Sequence, residues 1–216
     1  MSKKKGFFLT LEGGEGAGKS TLAHRLQTEI EKQGIPVVVT REPGGSFLGE
    51  TIRNLLLQPG EKEIFPLAEL LLFLAARAQH IQEVIDPALK QGKVVISDRF
   101  SDSTIVYQGV ARGGIPKDQV EKLCREVEGA CIPDCTFLLD LHPEVGFQRA
   151  RHRSLDRIEQ EGTAFHRAIR QGFLEQARKE KQRIVVLDAE QSPTAVWRQA
   201  WSCLTPRINQ FLQSKA

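Results

Sequence analysis

"FFLTLEGGEGAGKST", residues 7–21, is the stretch on which the fold turns. FFLTL (7–11) is an apolar run of the length of one buried strand. Residues 13–20 then match G-x-x-x-x-G-K-[ST] at every fixed position: Gly13, Gly14, Glu15, Gly16, Ala17, Gly18, Lys19 and Ser20, with Thr21 next. A helix is expected over 19–33, closed by Gly34. Strand, glycine loop and helix start together make an anion cradle. Glycines let the backbone curl so that N–H groups point inward, and the helix N-terminus adds its dipole. Lys19 is placed to reach β- and γ-phosphates and Ser20 to ligate Mg²⁺. The stretch therefore implies a nucleoside triphosphate site. It leaves open whether water, a protein or a small molecule receives the phosphate. It also places two carboxylates, Glu12 and Glu15, beside that site.

Four more short apolar runs read as strands: PVVVT (36–40), KVVIS (93–97), CTFLLDL (135–141) and RIVVLDA (183–189). Between them lie helical patterns at 49–58 and 66–90, and PTAVWRQAWSCL (193–204) reads as a closing helix. Strands that are apolar almost throughout are buried on both faces, and alternation with helices implies parallel pairing. The expected fold is α/β, a three-layer sandwich around a parallel sheet of about five strands. The 216 residues suit one domain. Residues 149–170, rich in Arg and Glu, read as a mobile insertion rather than core.

Composition narrows the partners. A net charge of +3 is too mild to suggest nucleic acid. No apolar run approaches the ~18 residues that a membrane span needs. After Lys3, Lys4 and Lys5, FFLTL is too short for a signal-peptide core. The four cysteines, Cys124, Cys131, Cys135 and Cys203, form no CxxC pair. They read as buried free thiols of a reducing cytoplasm.

Further motifs surround the cradle. VVISDR (94–99) ends a strand in Asp98, suited to the Mg²⁺ side, and Arg99, suited to a second anion. TREPGG (40–45) is a loop at the same sheet edge, with Arg53 on the helix beyond it. Phe73 and Arg77 are four apart and share a helix face. A ring and a guanidinium so placed suit a base and its edge, although Phe73 taken alone reads as core. Tyr107, the one tyrosine, lies in YQGVARGG. RARHRSLDRIEQEG (149–162) carries Arg149, Arg151, Arg153 and Arg157. Such a run is either a solvated face or a lid that brings positive charge to a transferring phosphate.

EGGEGAGKST, TREPGG, LLFLAAR, DRFSDSTIVYQG, PEVG and RARHRSLDRIEQE occur in one order across about residues 7–177. In this the chain resembles the thymidylate (dTMP) kinases of bacterial type. The resemblance implies a P-loop kinase fold, a lid insertion around 143–165, a cytoplasmic homodimer, and γ-phosphate transfer from MgATP to dTMP in dTTP biosynthesis. By the same resemblance Glu15 approaches the sugar and phosphate end of the acceptor, and Arg53 and Arg99 hold its phosphate. Phe73 stacks on thymine, Arg77 bonds its O4 edge, Tyr107 crowds the 2′ position, and Thr104 and Gln108 are secondary contacts. Ser20 and Asp98 take the metal side. The P-loop has Ala17 and no arginine, which sends catalytic arginine to the lid: Arg151 and Arg153 first, then Arg149 and Arg157. Ser154 stands where many relatives carry glycine. Adenine is expected between the lid's start and the 188–192 loop. The rival readings are a deoxynucleoside kinase, another P-loop nucleoside monophosphate kinase, a GTPase switch (no N/T-K-x-D motif is present) and a non-enzymatic nucleotide binder.

Overall fold

The computed structural model describes residues 6–60, 63–151 and 154–213. In chain order the elements are β1 (Phe7–Glu12), α1 (Lys19–Glu31), β2 (Val37–Arg41), α2 (Phe47–Leu57), α3 (Pro66–His80) and α4 (Asp86–Lys90). Then come β3 (Val94–Asp98), α5 (Ser101–Val106), α6 (Lys117–Glu128), β4 (Cys135–Asp140), α7 (Pro143–Ala150), α8 (Thr163–Lys179), β5 (Ile184–Asp188) and α9 (Pro193–Gln213). π-helical turns at Ile81–Ile85 and Tyr107–Ala111 continue α3 into α4 and extend α5.

The five strands form one sheet in the order β2-β3-β1-β4-β5, every pair parallel. All six residues of β1 are buried, as its apolar run requires. Leu9 and Leu11 face the layer of α1 and α9, where Leu22, Leu26, Ile30, Ala200 and Leu204 meet them. Phe8 faces the opposite layer with Phe100, Ile81 and Ile85. Each such large side chain contributes about 2 kcal/mol by leaving water. Thr10, buried in the middle strand, exchanges a 2.6 Å hydroxyl bond with Thr136 of β4. The expected α/β sandwich with about five parallel strands is the fold observed.

Two expectations need correction. The closing helix does not stop at 204 but runs to Gln213 through Pro206. Burial of Ile208 in the core and packing of Phe211 against it outweigh the helix penalty of an internal proline. Residues 149–170 are not all peripheral either. Ile158, His166 and Ile169 are buried, and Ile158 and Ile169 share an apolar cluster with Tyr107, Leu138 and Phe173. α8 thus starts inside the stretch read as an insertion and belongs to the core.

Candidate functional site

The parallel strands all end at one edge, and the chemistry gathers there. β1 delivers the glycine loop, and β3, its hydrogen-bonded neighbour, delivers Asp98 and Arg99. Gly18 caps α1 in a left-handed conformation, φ 92°. Gly16, also at positive φ, passes so close to α7 that an added Cβ would stand 2.5 Å from the Gly146 carbonyl oxygen. The loop is therefore keyed against the helix from which the next segment departs. Lys19 is buried, and its ammonium donates to the carbonyls of Gly13 (3.1 Å) and Gly14 (2.9 Å). Burial, then the nearby Arg99, lowers its pKa from the ordinary lysine value. Ser20 Oγ donates to Asp98 Oδ2 at 2.8 Å, so hydroxyl and carboxylate stand side by side at the cradle's edge.

Arg99 adopts positive φ, 72°, unusual for a residue with a side chain. Its guanidinium donates to the Gly13 carbonyl (3.0 Å) and Ser103 Oγ (3.1 Å), and pairs with Glu15. It lies 5.1 Å above the Tyr107 ring. The Glu15 carboxylate reaches from the loop to this arginine. Glu12 does a different job. Wholly buried, it accepts from the Phe100 N–H (2.8 Å), the Ser103 N–H (3.3 Å) and the Ser103 hydroxyl (2.6 Å), and so fixes the start of α5.

A cavity of about 400 Å³ opens beside the cradle, within the range of ligand pockets. It brings together Glu15, Lys19, Ser20, Asp98 and Arg99 with Arg53, Phe73, Arg77, Thr104, Tyr107 and Gln108. Arg53 is tied to the Pro43 carbonyl at 2.8 Å. Arg77, only 2% exposed, is held by Glu42 (2.7 Å) and donates to Thr104 Oγ1 (2.9 Å). His80 braces the other Glu42 oxygen at 2.9 Å and meets Thr40 Oγ1 at 2.6 Å. A second cavity, about 300 Å³, lies on the far side of the loop, lined by Ala17, Thr21, Arg25, Arg149, Gln191 and Trp197. Arg25 stacks over Trp197 at 4.4 Å.

The family model for thymidylate kinase matches residues 11–200. The chain belongs to the thymidylate kinase family. A thymidylate kinase of Protochlamydia amoebophila is 49% identical over 208 residues, covering 92% of each chain. That of Chlamydia trachomatis serovar D is 55% identical over 185 residues, 84% of this chain and 90% of its own. Among solved structures, thymidylate kinase from Ehrlichia chaffeensis superposes with a TM-score of 0.74 at 35% identity, covering 93% of this chain and 98% of that one.

Among the described residues, Arg149 and Arg157 of the 149–157 run reach different partners. Arg149 donates to the Ala189 (2.9 Å) and Glu190 (3.4 Å) carbonyls after β5. Arg151 is exposed at the end of α7, and Arg153 lies outside the described residues. Arg157 donates to the Leu56 carbonyl (2.8 Å) and pairs with Glu69. Sequence reasoning missed Glu42, which sits inside TREPGG. It also missed Glu69, although Glu69 is four residues before Phe73 and so on the same helix face.

Glu12 supplies a pH prediction. Burial, and then the charge of Asp102, push its pKa from 4.5 up to about 7. The folded chain thus binds this proton more tightly than the unfolded chain. The group's contribution to stability is whole below pH 4.5 and is lost as pH rises through 7. Glu12→Gln keeps an acceptor for the Phe100 N–H and does not titrate. Relative to wild type, its stability should therefore rise between pH 4.5 and 7. Denaturant unfolding across that window reads the difference, and a constant difference would refute the shifted carboxyl.

Proposed function

We propose that this chain transfers the γ-phosphate of ATP to dTMP, giving ADP and dTDP, the step toward dTTP that its family implies. The observation that carries the reading is the second set of cationic groups: Arg99 and Arg53 line the same cavity as Lys19, together with an aromatic ring, Phe73. A cradle for water alone has no use for it. Glu15 stands between the two halves. In this reading Arg99 and Arg53 hold the acceptor phosphate, Phe73 stacks on thymine, Arg77 and Thr104 meet its edge, and Tyr107 and Gln108 fill the sugar side.

The nucleophile is an oxygen of the dTMP phosphate, which already carries about −1.5 to −2 charge and needs no general base. The barrier is the approach of two anions, so these residues act by positioning and by neutralising charge. Ser20 Oγ and Asp98 fit Mg²⁺, a hard cation that takes one or two carboxylates plus substrate phosphates. When bound there, Mg²⁺ supplies charge neutralisation on the phosphate oxygens. The second cavity suits the donor's adenine, with Arg149 fixed at its wall. The lid of this reading is the segment joining α7 to α8, and Arg151 and Arg153 are its candidate charge donors.

Titration of acceptors with MgATP tests the assignment. Phosphorylation of dTMP and not thymidine is the expected result, and the reverse pattern would make the chain a deoxynucleoside kinase. The homodimer belongs to this proposal as well. Phe47 is 89% exposed and Phe65 71%, and Leu55, Leu67 and Leu71 on α2 and α3 are also exposed. That apolar face is supported as the meeting surface of two copies, and sedimentation of wild type against Leu71→Glu reads it. A cytoplasmic setting is supported by the free thiols of Cys124, Cys131, Cys135 and Cys203.

A further inference from the structure

Glu69 is a fully buried carboxylate that the phosphoryl-transfer reading does not use. It stands on α3 four residues before Phe73 and eight before Arg77, so one helix face carries all three. One of its oxygens accepts from Gln108 Nε2 (2.9 Å) and Arg112 Nε (3.3 Å). The other pairs with Arg157 and lies 3.5 Å from Arg112 Nη2. The two arginines come from different places. Arg112 ends the π-helical turn that carries Tyr107 and Gln108. Arg157 belongs to the segment between α7 and α8.

Arg157 is fastened at three points: Glu69, the Leu56 carbonyl through Nε (2.8 Å), and the Leu57 carbonyl through its own N–H (3.1 Å). Its neighbour Ile158 is buried among Leu57, Phe73 and Tyr107. Asp156, Ile158 and Glu159 form part of the wall of the 400 Å³ cavity. Arg112 pairs in addition with Glu161, at the far end of the same segment.

We propose that Glu69 is a positioning residue: through Arg157 it latches residues 154–162 over the acceptor cavity, and through Gln108 it ties that latch to the acceptor pocket. The second arginine is what makes the contact releasable. A buried carboxylate that loses its only partner is left with an uncompensated charge. Here Arg112 stays on the carboxylate when Arg157 leaves, so the segment can lift without stranding it. The inference rests on the acceptor reading proposed for this cavity.

The test uses the full chain as wild type, Glu69→Gln, Arg157→Gln and the double variant. Amide hydrogen exchange is followed without substrate, and KM is measured for each substrate. Either single variant should speed exchange of the 154–162 amides about tenfold while the β1 and β3 amides keep their rates. KM for dTMP should rise about tenfold and KM for ATP stay within about twofold. The double variant should fall short of the product of the two single effects, because both singles remove the Glu69–Arg157 contact, while Arg157→Gln alone also gives up the Leu56 carbonyl. Equal acceleration of the sheet amides, a joint rise of both KM values, or independent effects that multiply would each overturn the latch. Should Glu69→Gln fail to fold, Arg157→Gln alone carries the exchange and KM tests. If wild type leaves dTMP untouched while the exchange result holds, the acceptor reading falls and the latch stands as the fastening of the segment.

Discussion

Lys19→Ala should lower turnover about a thousandfold or more, a loss of about 4 kcal/mol of transition-state stabilisation. The size follows from where the ammonium sits. It is 7% exposed, at the bottom of the glycine loop, and in this structure its protons go to the Gly13 and Gly14 carbonyls. Those carbonyls are neutral acceptors, so a triphosphate competes for the same cation with far more charge. In a site shielded from water the attraction is much stronger than in bulk solvent. Alanine removes both the charge and the brace. The brace is partly duplicated, because Arg99 also donates to the Gly13 carbonyl at 3.0 Å. Folding stability should therefore fall by only about 1 kcal/mol. Turnover at saturating substrates together with a thermal melt separates the two effects. Activity within tenfold of wild type would remove Lys19 from the phosphate site.

The backbone of this site was legible in the sequence, and its cross-connections were not. FFLTL and KVVIS are apolar runs whose strands are covered on both faces, and the centre of the sheet follows from that, whereas the equally apolar VVVT lies at the edge and is only half-buried. The glycine spacing before Lys19 likewise admits one local geometry. Past those stretches the decisive information is non-local. Pro206 argues locally for a helix end, and only burial of Ile208 and packing of Phe211 reveal why α9 continues. The Arg-rich run looked uniform because charge carries no direction along a chain. In three dimensions Arg149 goes to the carbonyls after β5 and Arg157 to a carboxylate 88 residues away. Glu42 was invisible for the same reason. Its partners, Arg77 and His80, are one α3 turn apart but 35 and 38 positions along. A pattern reading assigns Arg77 to a ligand; the fold shows the side chain already held by Glu42 at Nε, Cys124 at Nη1 and Thr104 at Nη2, which orients it.

Arg99→Ala should raise KM for dTMP on the order of a hundredfold, about 3 kcal/mol, and leave KM for ATP within about threefold. Two losses combine. On the proposed acceptor reading, the guanidinium no longer meets the acceptor phosphate, and Glu15 keeps a negative charge in the space that phosphate would enter. The second loss can be isolated. Glu15 and Arg99 are 23% and 15% exposed, so water screens them only in part. In the Arg99→Ala background, Glu15→Gln should then recover part of the lost dTMP affinity, since it deletes the repulsion without restoring the contact. In the wild-type background the same change should not help, because Arg99 already balances Glu15. Such opposite effects of one substitution are the signature of a coupled pair. Equal weakening of both substrates by Arg99→Ala would mean that the arginine does not serve the acceptor specifically. Failure of Glu15→Gln to rescue would mean that the carboxylate does not face the acceptor. If the rescue appears, the acid inside the phosphate cradle is explained: the loop's N–H groups serve one anion, while Glu15 holds, until dTMP arrives, the arginine that serves the other.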